Sequence, residues 1–212
     1  MLERTLRNPL LLLPTIVVAV SFILTGCAKR PDTEITAAKA GAEKARSVEA
    51  ALYAPEAFIA LEESEKALDR ELMLQGDKNF LTRKYDNARR MAESVSVKAT
   101  EVEKAALDNK ASAREEASRL IQSARSLLLE VGGMIAKAPS AKGSALDLQV
   151  LKEDLASMEI TLDQAANEFA SEKYLDAQKS AGLAITTGNS VKSDLSNAIQ
   201  MKAGSRPASK AR

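Results

Sequence analysis

A seam of small apolar residues, spaced alternately by three and four, constrains this chain more than any other feature. It lies in the middle of the 212-residue sequence at Tyr85, Ala88, Ala92, Val95, Ala99, Val102 and Ala106. This spacing returns each residue to one side of an α-helix, so it predicts a helix with a narrow apolar stripe. Alanine in the stripe permits close approach of neighbouring helices. A stripe of this kind needs partner helices to cover it, and the chain must therefore fold as a helical assembly.

Other segments share this periodicity. We predict helices over about 34–52, from Pro55 to about 76, and over 85–106, 113–134, 148–169 and 174–198. Proline is tolerated at the first position of a helix, which is why Pro55 opens the second one. Turns are expected between Gly76 and Lys84 and at 171–173, with a loop over 138–143. The first helix is predicted to bury a face formed by Ala37, Ala40, Val48, Ala51 and Leu52.

The phase of the seam slips near Asp108–Lys110. Two interpretations stay open at this point. Ser112-x-x-Glu115 fits a capping box that starts a new helix. The same slip fits a stutter inside one long helix.

Two stretches of the chain are similar to each other at an offset of 89. Lys84-Tyr85-Asp86-Asn87-Ala88 corresponds to Lys173-Tyr174-Leu175-Asp176-Ala177, and the same shift carries Phe80 onto Phe169. This similarity predicts an all-α fold of elongated antiparallel hairpins, built from two copies of a three-helix unit. Residues 34–137 would hold the first unit and the start of the second, and 138–201 the remaining helices. We expect Phe80, Tyr85, Phe169 and Tyr174 to fill the hairpin cores; binding pockets at the hairpin tips are the alternative.

The N-terminus carries a second informative pattern. An apolar run follows Arg4 and Arg7 and ends in Leu24-Thr25-Gly26-Cys27, which resembles the lipobox of bacterial lipoproteins. The resemblance implies that residues 1–26 are a cleaved signal peptide, that Cys27 is lipidated, and that 27–33 is a lipidated linker. An uncleaved anchor with an incidental cysteine is the alternative. Ala28 follows the cysteine where an Asp would resemble an inner-membrane retention signal, so the periplasmic face of the outer membrane is expected rather than the inner membrane.

A wider resemblance joins the lipobox to two helical motifs. With Tyr53-Ala54-Pro55-Glu56 and Tyr85-x-x-Ala-x-x-x-Ala, the chain resembles a family of bacterial envelope lipoproteins whose helical domain has no assigned function. The second motif is also loosely similar to tetratricopeptide-type hairpins, although the 34-residue period is absent. The family resemblance implies an envelope location and provides no catalytic residues.

Composition limits the chemistry. The sequence has no His, no Trp and one Cys. Removal of residues 1–26 leaves 28 basic and 28 acidic side chains, which argues against a general nucleic-acid binder. Without histidines or further thiols, most zinc sites and His or thiol catalysis are excluded. Carboxylate, Ser or Lys chemistry stays formally possible, but no carboxylate pair is flanked by the apolar pocket or Gly-rich turn that tuned acid–base chemistry needs. We therefore expect a protein that is not an enzyme and has no metal site and no cofactor.

Basic residues provide the remaining candidate site. Arg83, Lys84, Arg89 and Arg90 cluster near the start of the third predicted helix, where the helix dipole also favours an anion. They are candidates for anion or partner contact, with a solvated helix face as the alternative. Residues 202–212 lack apolar periodicity and are predicted to form a disordered basic tail.

These patterns favour a lipid-anchored, non-catalytic scaffold or adaptor of the cell envelope. Its expected partners are the membrane, through the anchor, and other envelope proteins. Seam-type helices also pair between chains, so self-association is a further expectation. The alternative function is binding of peptidoglycan or lipopolysaccharide through the basic clusters.

Overall fold

A computed structural model describes residues 29–138 and 148–204, with side-chain detail as far as residue 197. These residues form helices and turns and contain no β-strand, which confirms the predicted all-α class. The helices are α1 (Asp32–Ser47), α2 (Ala50–Tyr53), α3 (Pro55–Gly76), α4 (Asp86–Lys137), α5 (Leu148–Ala170) and α6 (Tyr174–Gly204).

The described part of the chain divides into two compact units, with the boundary between Leu107 and Asp108. Helix α4 belongs to both, because it continues without interruption through Asp108–Lys110. Of the two interpretations of the phase slip, the single long helix is therefore the correct one. The boundary between the units nevertheless falls where the seam slips, since a change in phase turns a different side of the helix toward its neighbours.

In the first unit, the predicted helix over 34–52 is interrupted. Helix α1 ends at Ser47, and Glu49 adopts a left-handed conformation with φ of 60° before the short α2. The predicted face is also wrong: α1 buries Ile35, Ala38, Ala42 and Ala45, while Ala37 and Ala40 are exposed. Alanines lie on several sides of α1, so their spacing alone does not identify the buried one.

Three helical segments pack together in the first unit. Helices α1 and α4 lie so close that a Cβ added at Gly41 would be 3.1 Å from the Cβ of Ala99. Across the unit, Lys98 of α4 donates a hydrogen bond of 2.7 Å to the Ser64 hydroxyl of α3. All seven residues of the Tyr85–Ala106 seam are buried, as predicted. The small side chains of the seam allow the backbones of α1 and α4 to approach closely at Gly41 and Ala99.

The second unit contains the rest of α4 together with α5 and α6. Its buried residues form two apolar clusters, one around Met158 and one around Val131, Val191 and Leu195. Met158 lies against Gly188, so α5 and α6 approach each other closely at this position. In this part of α4, Ile121 and Ile135 are buried, whereas Leu120 and Met134 are half-buried.

Two ion pairs show the direction of α6 relative to α4 in this unit. Lys110 pairs with Glu172 at 3.2 Å, and Lys192 pairs with Glu130 at 2.7 Å. Residue numbers rise together along the two helices, so they run parallel. Glu168 accepts a hydrogen bond from Ser180, and Met158 meets Gly188, so α5 and α6 run antiparallel.

The turn between α5 and α6 lies at residues 171–173, as predicted. Glu172 has φ of 59°, and the Lys173 N–H donates to the Glu168 carbonyl at 2.9 Å. A left-handed residue with a bond back to the last helical turn is a common way to end a helix. The turn therefore leads directly into α6.

The ends of the described segments differ from the predicted boundaries. Helix α1 begins at Asp32, so Asp32 and Thr33, which were predicted to end the linker, are helical. Helix α6 continues to Gly204, so the tail prediction is wrong for residues 202–204. The predicted signal peptide, Cys27, the loop residues Pro139–Gly143 and the tail residues 205–212 lie outside the described residues.

Candidate functional site

The proposed lipidation site, Cys27, lies just before the described part of the chain. The description begins at Lys29, and α1 starts at Asp32 with Arg30 paired to Asp32 at 3.3 Å. The chain is thus folded almost from the point where a lipid on Cys27 would hold it. Lipidation itself stays a prediction from the sequence.

The four basic candidates do not converge on one point. Arg83 donates from Nε to the Lys78 carbonyl at 2.9 Å and from Nη2 to the Gly76 carbonyl at 2.8 Å. These carbonyls belong to the end of α3 and the turn after it, where backbone acceptors have no partner within the helix. Arg83 therefore holds the α3–α4 connection.

The other three basic residues have separate surroundings. Arg89 pairs with Glu34 of α1 at 3.1 Å, and Arg90 donates to the Asn87 side chain at 3.4 Å. The Lys84 side chain is exposed. Two of the guanidinium groups, those of Arg83 and Arg89, thus join structural elements of the first unit, and the anion or partner role stays a prediction.

Gln75 is a site residue that sequence reasoning missed. It is buried in the last turn of α3, where its Nε2 donates to Glu71 at 2.9 Å. Its Oε1 accepts from Lys78 Nζ and from the Lys84 backbone N–H, each at 3.1 Å. The available signal was the heptad spacing of Leu61, Leu68 and Gln75, which puts a polar side chain at a core position. Gln75 links the end of α3 to the start of α4.

Large apolar side chains are exposed beside Gln75. We call Met73, Leu74, Phe80 and Leu81 the apolar tip. Their exposed fractions are 71%, 60%, 62% and 76%. The expectation that Phe80 fills a hairpin core is therefore wrong, although Tyr85 is buried as expected.

The corresponding aromatic pair of the second unit is arranged differently. Phe169 contacts Tyr174 edge to face, with ring centroids 5.3 Å apart, and it packs against the apolar cluster around Met158. The difference follows from the connections. Residues 77–85 form a longer turn, in which Phe80 lies beyond the end of α3, whereas Phe169 is still part of α5.

The outer face of α5 carries a second surface feature. Ile160 is 70% exposed and lies opposite the buried side of its helix. An open depression of about 450 Å³ is lined by Ile160, Asp163, Gln164, Asn167, Glu168, Ser171 and Lys173. We call this surface the α5 face. It combines one apolar side chain with amide, carboxylate and amino groups, which suits contact with another protein surface rather than enclosure of a small molecule.

The interior of the described chain is apolar apart from two side chains. Gln75 and Ser180 are the buried polar residues of this part of the chain, and both are hydrogen bonded within the fold. In the two described ranges, His, Cys, Asp and Glu side chains form no group of three or more that could hold a metal ion. No helix within residues 29–138 and 148–204 has both the length and the hydropathy of a membrane span.

Glu116 and Arg119 form an exposed ion pair in which both pKa values are shifted. The Arg119 guanidinium donates two hydrogen bonds to the Glu116 carboxylate on the surface of α4. This hydrogen bonding lowers the pKa of Glu116 and raises the pKa of Arg119. The pair lies three residues apart on one helix, so it supports α4 locally.

Comparison of the chain with protein-family models, with curated proteins and with solved structures finds no match. The candidate site is therefore defined by the chain's own geometry: the apolar tip with its basic surroundings in the first unit, and the α5 face in the second.

Proposed function

We propose that this protein is a lipid-anchored helical scaffold or adaptor on the periplasmic face of the bacterial outer membrane. The location derives from Leu24-Thr25-Gly26-Cys27, and diacylated or triacylated cysteine binds a bilayer far more firmly than one acyl chain. The adaptor role is carried by one observation, the exposed α5 face of the second unit.

The α5 face has the properties of a protein-binding surface. Ile160 offers an exposed apolar anchor, and Gln164, Asn167 and Ser171 follow it along the same side of the helix. A partner helix laid along such a face would cover the apolar side chain and exchange hydrogen bonds with the polar ones. The acidic side chains of this face and Lys173 at its end would set the direction of the partner through charge.

A duplicated architecture fits this role and forms part of the proposal. The buried positions of α6 match those of α4 in the first unit at an offset of 89: each residue of the Tyr85–Ala106 seam corresponds to a buried residue between Tyr174 and Leu195. In the first unit, the Glu34–Arg89 and Gly41–Ala99 contacts indicate that α1 and α4 run parallel. In the second unit, α4 and α6 run parallel, as their two ion pairs indicate. Two related units would give one anchored chain two different surfaces.

The alternative, binding of peptidoglycan or lipopolysaccharide through the basic cluster, draws less support. Arg83, Arg89 and Arg90 already have partners within the first unit. An anion at this cluster would compete with bonds that hold the α3–α4 connection. Sedimentation with purified sacculi tests this alternative, which requires less pelleting when Arg83, Lys84, Arg89 and Arg90 are replaced by Ala.

A site-specific cross-linker tests the adaptor role. A photoreactive phenylalanine analogue is introduced at Ile160 in the full-length protein, expressed in intact bacterial cells. The matched control carries the analogue at Asn189, an exposed position on α6. We expect a discrete adduct with one envelope protein from position 160 and none from 189, and its loss when Asn167→Arg is added. Adducts with lipid or with itself alone would contradict the proposal.

A further inference from the structure

We infer that the apolar tip of the first unit is a second membrane contact, which inserts into the same bilayer that holds the lipid on Cys27. The inference rests on the proposed anchor and adds to it an orientation for the first unit. Its occupant is a phospholipid surface with anionic head groups.

The first argument is exposure. Met73 and Leu74 lie near the end of α3, Phe80 and Leu81 follow in the turn, and all four are more than half exposed. Single apolar side chains on a surface are ordinary, but four large exposed ones within residues 73–81 concentrate apolar surface at one end of the first unit. An aromatic and three aliphatic side chains are the kind that enter the boundary between head groups and acyl chains.

The second argument is that hydrogen bonds within the protein hold the turn of the apolar tip in a defined conformation. Arg83 binds the Gly76 and Lys78 carbonyls, and Gln75 accepts from the Lys84 N–H. The Asn79 side chain accepts a hydrogen bond of 3.2 Å from the Leu81 N–H. Because these bonds order the turn before it meets any ligand, little conformational freedom is lost on binding.

The third argument is the position of the tether. Glu34 in the first turn of α1 pairs with Arg89 in the first turn of α4, which directly follows the tip. The start of α1 and the tip are therefore at the same end of the first unit. Cys27 is five residues before Asp32, so that stretch spans at most about 17 Å when fully extended. A lipid on Cys27 would hold this end of the unit at the bilayer surface.

The fourth argument is charge. Residues 77–84 carry Lys78, Arg83 and Lys84 against Asp77 alone. Cationic side chains that flank an apolar patch are attracted to anionic head groups. The Arg83 and Lys78 side chains are held within the turn and contribute their charge, whereas Lys84 is exposed. The aliphatic stem of Lys84 can lie along the apolar region while its charge stays in the head-group layer. The same charges would disfavour burial of the tip in the apolar core of a protein interface.

The absence of Trp from the sequence gives a direct experiment. Phe80→Trp puts a fluorescent probe in the apolar tip, and Ile59→Trp puts the matched probe at an exposed position near the other end of α3. The helix rises about 1.5 Å per residue, so Ile59 lies roughly 26 Å along its axis from Gly76, the last residue of α3 before the turn that contains Phe80. Each full-length lipoprotein is purified from membranes and reconstituted into phosphatidylethanolamine–phosphatidylglycerol vesicles containing a phospholipid with brominated acyl chains.

We expect the brominated lipid to quench the indole of the Phe80→Trp protein at least about twofold more than that of the Ile59→Trp protein, and iodide in the buffer to show the reverse order. Equal quenching of the two probes would overturn the inference.

Two other outcomes would also overturn it. Shielding of the tip probe that depends on protein concentration in detergent would assign the tip to a contact between copies of the chain. Shielding that appears only on addition of a soluble envelope extract, with no effect of brominated lipid, would assign the tip to a protein partner.

A mass measurement on the same preparations separates this inference from the proposed anchor. Peptides that begin at Cys27 and carry a diacylglycerol group would establish the anchor. The quenching result then tests only whether the apolar tip inserts into the bilayer. Unmodified Cys27 would refute the anchor and, with it, the orientation inferred for the tip.

Discussion

The Arg89 side chain lies 3.1 Å from the Glu34 carboxylate and connects the first turn of α4 to the first turn of α1. The pair is partly exposed, and ion pairs of this kind stabilise proteins by about 1 kcal/mol or less. A double-mutant cycle with Glu34→Gln and Arg89→Gln should give a coupling energy of about 0.2–1 kcal/mol in chemical unfolding. A coupling energy indistinguishable from zero at low salt would contradict a stabilising role of this pair.

A methyl group at Gly188 would require the side-chain ends of Met158 and Leu127 to move. A Cβ at this position would lie 2.7 Å from Leu127 Cδ2 and 2.8 Å from Met158 Sδ. Gly188→Ala should therefore destabilise the protein by about 1 kcal/mol, at the low end of the overpacking range, because the side chains that must move have flexible ends.

The matched control for this substitution is Gly182→Ala on the same helix, where no neighbouring atom lies within 4 Å. The control should stabilise the protein by about 0.5–1 kcal/mol, because alanine favours helix over glycine. Thermal unfolding of both variants gives the comparison. Equal thermal shifts would contradict the close approach of α5 and α6.

Gln75 is expected to control the α3–α4 connection. Gln75→Ala removes the acceptor of the Lys84 N–H and should lower the free energy of unfolding by about 1–3 kcal/mol. Hydrogen exchange at the Lys84 amide should become faster while exchange in the middle of α4 stays slow. Gln164→Ala is the control, since that side chain is exposed, and its effect should stay within about 0.5 kcal/mol. Unchanged exchange at Lys84 in the Gln75 variant would refute this role of Gln75.

The pKa of Glu116 should be lower than that of an isolated glutamate. Its pKa is lowered by the hydrogen bonds from Arg119, so the folded state holds its proton less firmly than the unfolded state does. The small stabilisation is present above the ordinary glutamate pKa and is lost as the pH falls through the lowered pKa of the folded state. Carboxyl-carbon NMR should show the titration moving upward in Arg119→Gln and staying unchanged in Arg125→Gln. A wild-type titration in the Arg119 variant would contradict the assignment.

The sequence predicted the helices where buried and exposed residues differ clearly in size or polarity. The Tyr85–Ala106 seam is buried as expected because charged residues occupy the other sides of that helix. In α1, by contrast, alanines lie on several faces, and packing against α4 at Gly41 selects the buried one. A one-dimensional pattern contains no information on that choice.

The candidate site was less predictable. The sequence shows that Arg83 and Arg89 are close along the chain, but it does not identify their partners. Arg83 binds two backbone carbonyls because the turn folds back on α3, and Arg89 pairs with Glu34 because α1 packs beside α4. Phe80 matches Phe169 in the sequence and differs from it in exposure, because the turns that follow α3 and α5 have different lengths. Local sequence similarity therefore did not determine the environment of this ring.

The anchor on Cys27 is the central claim, and the mass of the protein's first residue tests it most directly. Full-length protein purified from bacterial membranes is digested, and the peptide containing Cys27 is measured beside that of Cys27→Ser. The account predicts a chain that begins at Cys27 with a diacylglycerol on its sulfur, and a Cys27→Ser protein that is soluble or remains an unprocessed precursor. A wild-type chain that begins elsewhere, or a Cys27→Ser protein that is processed and membrane-bound like the wild type, would contradict it.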